Sequence, residues 1–405
     1  MPKTEVQNLL VVGIDTVSIA NSAKKAGYKI YAADYFGDMD LRRVCSRYKS
    51  IIQQKPGKSC GRFESRFKPK AFVQLTRFLL KKAEIDAALL SSGLDDYFNV
   101  LNELNELVPI LGNHPEVIKR VREKPKFFEE LKRLRIPYPE TTFVRDLKEA
   151  KMAAAEIGYP VVIKPSRGFG GANIRMARNP EALELAFKYA SLSQDDVLIQ
   201  KFIDGIHASA SLLGSNVAIK TLTINEQLIG LLYVFQWEPF GYCGNVVPLC
   251  LANSVLEECK RIVERVALHF SLKGSNGIDF VISKENIPYV LEVNPRFQGT
   301  LECVERVLGM NLVKAHINAC IYNSLPTIEE KSSNFCTRLI LYTPARVIAP
   351  DLTSFIEVRD TPLQSTIIEK GEPVCSIIAA GNSQWFSLRK VKVRAKKIYR
   401  MLRPA

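Results

Sequence analysis

The sequence predicts an α/β protein of more than one domain. A chain of 405 residues exceeds the roughly 150 residues of an ordinary domain. It opens with an apolar run, a helix-compatible stretch and a second apolar run, which is the order of a βαβ unit. A second region of strand and helix patterns follows, and short β-branched runs separated by proline and glycine come after Pro326. These observations indicate two α/β regions followed by a small β-rich region.

Composition excludes several classes of protein. Hydrophobic residues make up 47% and charged residues 24% of the chain, as in globular proteins rather than disordered, collagenous or coiled-coil ones. No apolar stretch approaches the roughly 18 residues that cross a bilayer, and the N-terminal segment lacks a basic region and a cleavage site. The nine cysteines form no CxxC pair. We therefore expect a cytoplasmic protein with reduced, structural thiols.

Residues 1–112 have the pattern of an open α/β domain. An apolar strand at 9–12 is followed by Gly13, and the second strand ends in Asp34. A dinucleotide-binding fold would need GxGxxG after the first strand, where the backbone approaches a pyrophosphate, and the sequence lacks that fingerprint. Apolar runs predict further strands at 87–90 and 109–112.

The rest of the chain divides at prolines. A helix is expected over residues 116–135, where the apolar spacing is helical and the Ile-Pro-Tyr-Pro sequence then stops it. It opens a second α/β region over 113–325, and a β-rich cap is expected over 326–385.

The last segment, residues 386–405, is strongly basic. The net charge of +14 fits acidic ligands or a polyanionic surface, and eight of the basic residues lie between 389 and 403 with no acidic one. Helical spacing of apolar residues predicts an amphipathic helix. It either docks on the body of the protein or binds anionic lipid or nucleic acid. The apolar positions are Val391, Ala395, Ile398 and Leu402.

A lysine and a glycine loop indicate a phosphate site. An apolar strand delivers Lys164, and Gly168, Gly170 and Gly171 follow at once. Glycines without Cβ atoms let backbone N–H groups close around phosphate oxygens. The alternative is an ordinary glycine turn after a strand whose lysine extends to solvent. The sequence matches neither a P-loop, which needs GK[ST], nor a protein kinase.

A second pattern indicates a metal site on a β-hairpin. Two apolar runs flank a polar turn near residues 285–286. If positions 284 and 287 face each other, Asp279 lies opposite Glu292, and Asn294 shares the face of Glu292. Facing carboxylates repel unless a cation lies between them, and three oxygen ligands suit Mg²⁺. The alternative is a solvated hairpin face with an accidental charge pair.

These two patterns, in this order and about 115 residues apart, resemble the ATP-grasp superfamily, in its biotin carboxylase and carbamoyl phosphate synthase-like branch. The resemblance covers roughly residues 116–300. It rests on the helix opening around Lys124, the glycine loop, the segment 198–203 and the Asp279 hairpin. It implies an ATP-grasp fold of the α/β class. The implied parts are a Rossmann-like preATP-grasp domain (1–112), a core (113–325) with a lid near 160–205 and a metal-binding part near 206–325, and the small C-terminal β-rich element.

The resemblance also implies roles for individual residues. Arg296 would stabilise an acyl phosphate, and Lys164 would act with it on the transferred phosphate. Asp279, Glu292 and Asn294 would hold Mg²⁺, with Mn²⁺ as a possible substitute. The residues implied to bind ATP are Lys124, Lys164, Gly168, Gly170, Gly171, Gln200, Lys201, Ile203 and His207. Gln200 replaces a glutamate found in many members.

The function that follows is an ATP- and Mg²⁺-dependent ligase. It would activate a small-molecule carboxylate as an acyl phosphate and join it to an amine or thiol acceptor, and a homodimer is possible. One alternative is a carboxylase that forms carboxyphosphate from bicarbonate. Another is a nucleotide-binding or nucleic-acid-binding protein without activity. Tyr242 and Asn245, in a segment rich in aromatic residues and glycine, are the candidate substrate contacts.

Overall fold

The N-terminal region is a parallel sheet with helices on both faces. The computed structural model describes residues 6–193, 196–328 and 334–405. Four parallel strands lie in the order β3-β2-β1-β4. The elements are β1 Asn8–Gly13, α1 Val17–Lys25, β2 Lys29–Asp34, α2 Met39–Val44, β3 Arg47–Ser50, α3 Phe63–Arg66, α4 Lys70–Leu80, β4 Ala87–Leu90 and α5 Phe98–Leu107. β2 and then β3 lie on one side of β1, and β4 lies on the other side.

The strand expected at 109–112 is wrong. Ile110 makes one parallel bridge with Ala88, and Leu111 N donates to Ala88 O at 2.8 Å. The pairing stops there because the chain turns at Gly112, whose φ is +135°. Sequence reasoning also missed β3, whose polar residues give no apolar run.

The single helix expected at 116–135 is two helices, α6 Pro115–Arg122 and α7 Lys124–Arg133. Pro125 explains the break, since proline lacks the N–H for the helical hydrogen bond and suits the first turn of a helix. The break makes Lys124 the first residue of α7, where its side chain is buried. This placement brings its ammonium group to the cavity described below.

The next region is an antiparallel four-stranded sheet in the order β5-β8-β6-β7. Helices α8 and α9 cover it, and their alanines pack on Val161 and Ile163 of β6. The elements are β5 Thr141–Val144, α8 Leu147–Ile157, β6 Val161–Pro165, β7 Arg175–Ala177, α9 Pro180–Ala190, a 3₁₀ turn Ser191–Ser193 and β8 Val197–Lys201.

An eight-stranded sheet forms the centre of the molecule, in the order β13-β12-β9-β10-β11-β14-β18-β16. Its strands β14 and β18 come from the region expected to be a cap, so these residues extend the central sheet. The division at residue 325 stays a prediction. The elements are β9 Gly205–Gly214, β10 Ile219–Ile229, a 3₁₀ turn Leu232–Val234, β11 Tyr242–Val247, α10 Asn253–His269, β12 Gly274–Ser283, β13 Pro288–Asn294, α11 Leu301–Leu308, α12 Leu312–Tyr322, β14 Phe335–Tyr342, β15 Val347–Ile348, β16 Val358–Arg359, β17 Ile367–Ile368, β18 Pro373–Gly381, α13 Gln384–Tyr399 and β19 Arg403–Pro404.

The basic C-terminal segment forms helix α13, and this helix is docked on the body. Val391, Ala395 and Ile398 are buried in a cluster with residues of β14 and β18. Leu402 lies beyond the end of the helix and is partly buried. The docked arrangement is therefore the observed one. Among the described residues, no helix is long and apolar enough to span a bilayer.

We expect Ile398→Ala to destabilise the protein by about 2–4 kcal/mol, the usual cost of truncating a fully buried isoleucine. Ile398 is 0% exposed. Val393→Ala on the same helix is the matched control, because Val393 is 62% exposed, and a change within about 0.5 kcal/mol is expected. Urea unfolding measures both. Equal losses would show that α13 does not dock through this face.

Candidate functional site

A large cavity of about 970 Å³ lies where the three main sheets meet. It is lined by the loops after β1 and β4, by β6 and β8 of the antiparallel four-stranded sheet, by the β12–β13 hairpin and by β14 and β18. A volume of this size is at the upper end for ligand pockets. Every candidate site residue from the sequence lines it; they are Lys124, Lys164, Gly168, Gly170, Gly171, Gln200, Lys201, Ile203, His207, Tyr242, Asn245, Asp279, Glu292, Asn294 and Arg296.

The β12–β13 hairpin places Asp279 opposite Glu292, as the sequence predicted. The assumed turn pairing of 284 with 287 is wrong by one residue, because Ser283 N donates to Ile287 O. Near the turn Phe280 pairs with Val290, and the register shifts before Asp279. This bulge adds one residue to β13 and restores the predicted pairing at the site.

Two buried cations hold Glu292. Lys124 Nζ donates to Glu292 Oε2 at 2.9 Å, and Arg122 Nη1 lies 3.4 Å from the same oxygen. Burial alone would raise the pKa of Glu292, but Lys124 and Arg122 hold it well below its usual range. Burial lowers the pKa of Lys124, and the ion pair with Glu292 opposes that shift. Arg122 also pairs with Asp96 at 2.7 Å.

Asp279 has no ion-pair partner among the described residues. Its Oδ2 accepts a hydrogen bond from Asn294 Nδ2 at 2.9 Å. Burial and then repulsion by Glu292 raise its pKa to about 7, although the charge of Arg296 and hydrogen bonds from Asn294 and Gln227 oppose this rise. Two facing carboxylates and a side-chain amide are oxygen donors of the kind that Mg²⁺ takes when phosphate oxygens and water complete its shell. The two carboxylates with the Asn294 amide oxygen therefore fit Mg²⁺, although no three His, Cys, Asp or Glu side chains in the described ranges are placed to hold a metal ion by themselves.

Lys164 extends from β6 into the cavity. Its Nζ donates to Gln200 Oε1 at 2.9 Å, and Gln200 Nε2 donates to Thr141 Oγ1 at 2.7 Å. Burial and then the charge of Lys124 lower the pKa of Lys164 to about 8. Two ammonium groups with depressed pKa values near a guanidinium favour a polyanion such as a nucleotide phosphate chain.

The segment after β8 lines the cavity beside Lys164. Lys201 N donates to Glu140 O at 2.8 Å, so a contact from its backbone to a base would have to use its carbonyl oxygen. His207 on β9 is partly buried, and burial lowers its pKa. Ile203 is partly buried at the cavity wall. Their contacts with a nucleotide stay predictions.

The glycine loop closes one side of the cavity. Tyr242 N donates to Gly170 O at 3.0 Å, and Gly168 N donates to Asp96 Oδ2 at 3.3 Å. The ring of Phe169 packs 5.4 Å from that of Phe63 in the N-terminal region. At Gly171, φ is +78° and a Cβ atom would lie 1.9 Å from Phe240 O. The loop therefore contacts both the N-terminal region and the segment before β11.

We expect Gly171→Ala to hold the loop open, because its Cβ would overlap the Phe240 carbonyl. Gly170→Ala is the matched control: φ is +67° there, but nothing lies within 4 Å of an added Cβ. Both substitutions pay about 1–2 kcal/mol for a left-handed backbone, and only the first adds a clash. Trypsin should cleave after Arg167 at least severalfold faster in Gly171→Ala than in Gly170→Ala. Equal cleavage of the two variants would contradict this packing.

Arg296 connects Asn294, one of the residues expected to bind Mg²⁺, with Asp95 in the N-terminal region. Its Nε donates to Asp95 Oδ2 at 2.9 Å, and its Nη2 donates to Asn294 Oδ1 at 3.2 Å. Sequence reasoning missed Asp95, Asp96 and Arg122. The two aspartates follow β4, and the carboxyl ends of parallel strands are the signal that would have found them.

Tyr242 and Asn245 lie on β11 at the cavity wall and touch each other. The Tyr242 hydroxyl donates to Asn245 Oδ1, and Asn245 Nδ2 donates to Glu226 O at 3.2 Å. A Cβ added at Gly299 would lie 2.9 Å from the Tyr242 hydroxyl and 3.2 Å from Arg338 Nη1. Tyr242 and Arg338 therefore both lie beside Gly299 at the cavity wall, where their polar groups could contact a second ligand.

The family of the core is decided by its sequence. Residues 121–300 match the model of the ATP-grasp domain. This chain contains an ATP-grasp domain. The matched range includes both lysines, the glycine loop and the hairpin, so the resemblance inferred from the motifs is confirmed. ATP and Mg²⁺ are the typical cofactors of ATP-grasp enzymes, which are ligase-type, ATP-binding proteins.

The similarity to known proteins extends beyond residues 121–300. An uncharacterized protein of Methanocaldococcus jannaschii is 27% identical over 378 residues, which are 92% of this chain and 88% of that one. The carbamoyl phosphate synthase large chain of Clostridium acetobutylicum is 28% identical over 66% of this chain, which spans only 25% of its length. The biotin carboxylase domain of Hydrogenobacter thermophilus 2-oxoglutarate carboxylase has a TM-score of 0.76 at 19% identity, covering 99% of this chain and 91% of that one. The last likeness confirms the ATP-grasp fold.

Proposed function

We propose that this protein is an ADP-forming ligase that activates a carboxylate as an acyl phosphate and joins it to an amine acceptor. The observation that supports this most is the arrangement of charge in one cavity. Three cations, Lys124, Lys164 and Arg122, lie beside two facing carboxylates, Asp279 and Glu292, and the cavity continues past Arg296 to a second polar end. Such a site positions a polyphosphate and leaves room for two further reactants.

The residues divide the work by charge. Lys124 and Lys164 bind the phosphates of ATP and stabilise the negative charge that develops on the transferred group. Asp279, Glu292 and Asn294 hold Mg²⁺, which neutralises phosphate charge when it is bound. Arg296, fixed by Asp95, orients the acid and stabilises the acyl phosphate. The amine then attacks the acyl carbon, and inorganic phosphate leaves.

The chemistry proposed here needs no covalent nucleophile on the protein. Cys243 and Cys303 are fully buried, and burial raises the pKa of both thiols. A protonated thiol is a poor nucleophile. We infer that these cysteines pack the core beside the cavity.

A bicarbonate-dependent reaction is the second candidate. It is favoured by the similarity to a biotin carboxylase domain whose structure was solved with MgADP and bicarbonate. That domain is a dimer, and a homodimer of this chain remains a proposal. In both reactions the same residues would bind ATP, so the acid decides between them.

The test is phosphate release from MgATP with pools of organic acids and amines, compared with bicarbonate and biotin. The proposal predicts ADP formation that depends on an organic acid. ADP formation with bicarbonate alone would favour the second candidate. Nucleotide binding without ADP formation in every pool would indicate a protein that binds nucleotide without turnover.

A further inference from the structure

The part of the cavity at the carboxyl ends of β1 and β2 is acidic. The loop after β1 supplies Asp15, the loop after β2 supplies Asp38, and the segment after β16 supplies Asp360. β1 and β4 are the neighbours at which the strand order of the parallel sheet changes direction. Ligands of open α/β sheets bind in the crevice at the carboxyl ends of such strands. We call Asp15, Asp38 and Asp360 the acidic wall.

One buried arginine forms ion pairs with two of the three carboxylates of the acidic wall. Arg338 Nη2 donates to Asp15 Oδ2 at 2.8 Å and to Asp360 Oδ2 at 2.9 Å, and its side chain is 3% exposed. Asp38 is 7% exposed and accepts a hydrogen bond from Gln54 Nε2 at 2.9 Å. Within the part of the chain that the structure describes, no cation pairs with Asp38. One buried positive charge, that of Arg338, therefore faces three carboxylates.

The buried negative charge has a measurable electrostatic consequence. Burial and then Asp15 raise the pKa of Asp360 to about 7. Burial, then Asp40 and Asp34, raise the pKa of Asp38 well above its usual range. Arg62 and Lys370 also line this part of the cavity, but both are exposed to solvent. A ligand that brings a positive charge would relieve this repulsion.

Two further observations point to an organic ligand at this wall. Ser18 is 5% exposed and is one of the residues that line the cavity, and its buried Oγ has no hydrogen-bond partner among the described residues. Phe36 and Phe63 stack at 5.8 Å beside the carboxylates and provide an apolar surface. In the described residues no three carboxylates converge as metal ligands do. An organic ammonium ion matches these features: its charge is opposite to that of the carboxylates, its N–H groups can donate to the unpaired Ser18 hydroxyl, and its carbon skeleton can pack on Phe36 and Phe63.

We propose that the acidic wall is the acceptor subsite and that it takes a primary amine, bound as an organic ammonium ion against Asp15, Asp38 and Asp360. Phe36 and Phe63 cover its carbon skeleton. Because Phe169 of the glycine loop packs on Phe63, closure of the loop over the phosphates also covers this subsite. The inference rests on the proposed function for its catalytic meaning, but binding of an amine is measurable without ATP.

The test is thermal stabilisation at pH 7.5 by butylamine, 1,4-diaminobutane and 2-phenylethylamine, each compared with its neutral alcohol. We expect amines alone to raise the melting temperature of the wild-type protein. Asp38→Asn and Asp360→Asn should weaken the apparent affinity at least tenfold. Asp351→Asn, an exposed aspartate outside the cavity, is the matched control and should behave as wild type. Asp38→Asn retains an acceptor for Gln54, so its fold should be preserved.

Four outcomes would overturn the inference: no stabilisation by any of the amines, equal stabilisation by alcohols, full stabilisation of Asp38→Asn, or stabilisation by Ca²⁺ that this variant loses. A separate assay isolates the proposed function. Once an active acid is known, hydroxylamine traps the acyl phosphate as a hydroxamate, and both the wild-type protein and Asp351→Asn should form it without any other amine. If amines bind but no acid supports ADP formation, the ligase proposal fails and the ammonium subsite stands.

Discussion

Glu292→Gln should reduce ADP formation by about 100-fold or more, the scale expected when a charged group that organises a transition state is lost. The variant removes a ligand proposed for Mg²⁺ and the counterion of Lys124 together. The melting temperature should fall too, because Lys124 has no other ion-pair partner among the residues described. Glu285→Gln, in the turn of the same hairpin and exposed to solvent, is the matched control.

A double variant separates the two effects of Glu292. Lys124→Met combined with Glu292→Gln removes the buried charge pair as a unit, which is far less costly than leaving one buried charge unpaired. Stability should return toward that of the wild type, while ADP formation stays abolished. If the double variant regains turnover, the carboxylate has only a structural role.

Lys164→Met should abolish turnover without destabilising the protein. Burial destabilises the charged ammonium group of Lys164 and, with the charge of Lys124, lowers its pKa to about 8. Methionine fills a similar volume and carries no charge to desolvate. The variant should lose affinity for the β- and γ-phosphates of ATP only. Calorimetry should therefore show at least tenfold weaker binding of ATP and nearly unchanged binding of AMP. Lys148→Met on the exposed side of α8 is the control. Equal losses for ATP and AMP would place Lys164 away from the phosphates.

The hairpin shows what the sequence carries and what it lacks. Alternation along β12 and β13 predicted that Asp279 faces Glu292, because side chains two residues apart share a face. The bulge between Val290 and Glu292 was not predictable from that alternation. The predicted pairing is correct at the site because the bulge offsets an error of one residue at the turn.

Local signals fail where the site is assembled from distant segments. Asp15 and Arg338 meet across 323 residues of sequence, and neither forms a motif with its neighbours. Pro125, by contrast, was a readable signal: a proline inside a helical pattern marks a new helix start, and this start delivers Lys124. The lysines, the glycine loop and the hairpin were predictable because each is a short pattern on one element.

Transfer of oxygen-18 from the acid to phosphate tests the central claim most directly. With an active organic acid labelled in both carboxylate oxygens, MgATP and an amine, attack of the carboxylate on the γ-phosphorus makes a labelled bridge that leaves with phosphate. The account predicts one oxygen-18 atom in each inorganic phosphate, seen as a shift of its phosphorus resonance, together with ADP. Unlabelled phosphate, or release of AMP and pyrophosphate, would contradict it.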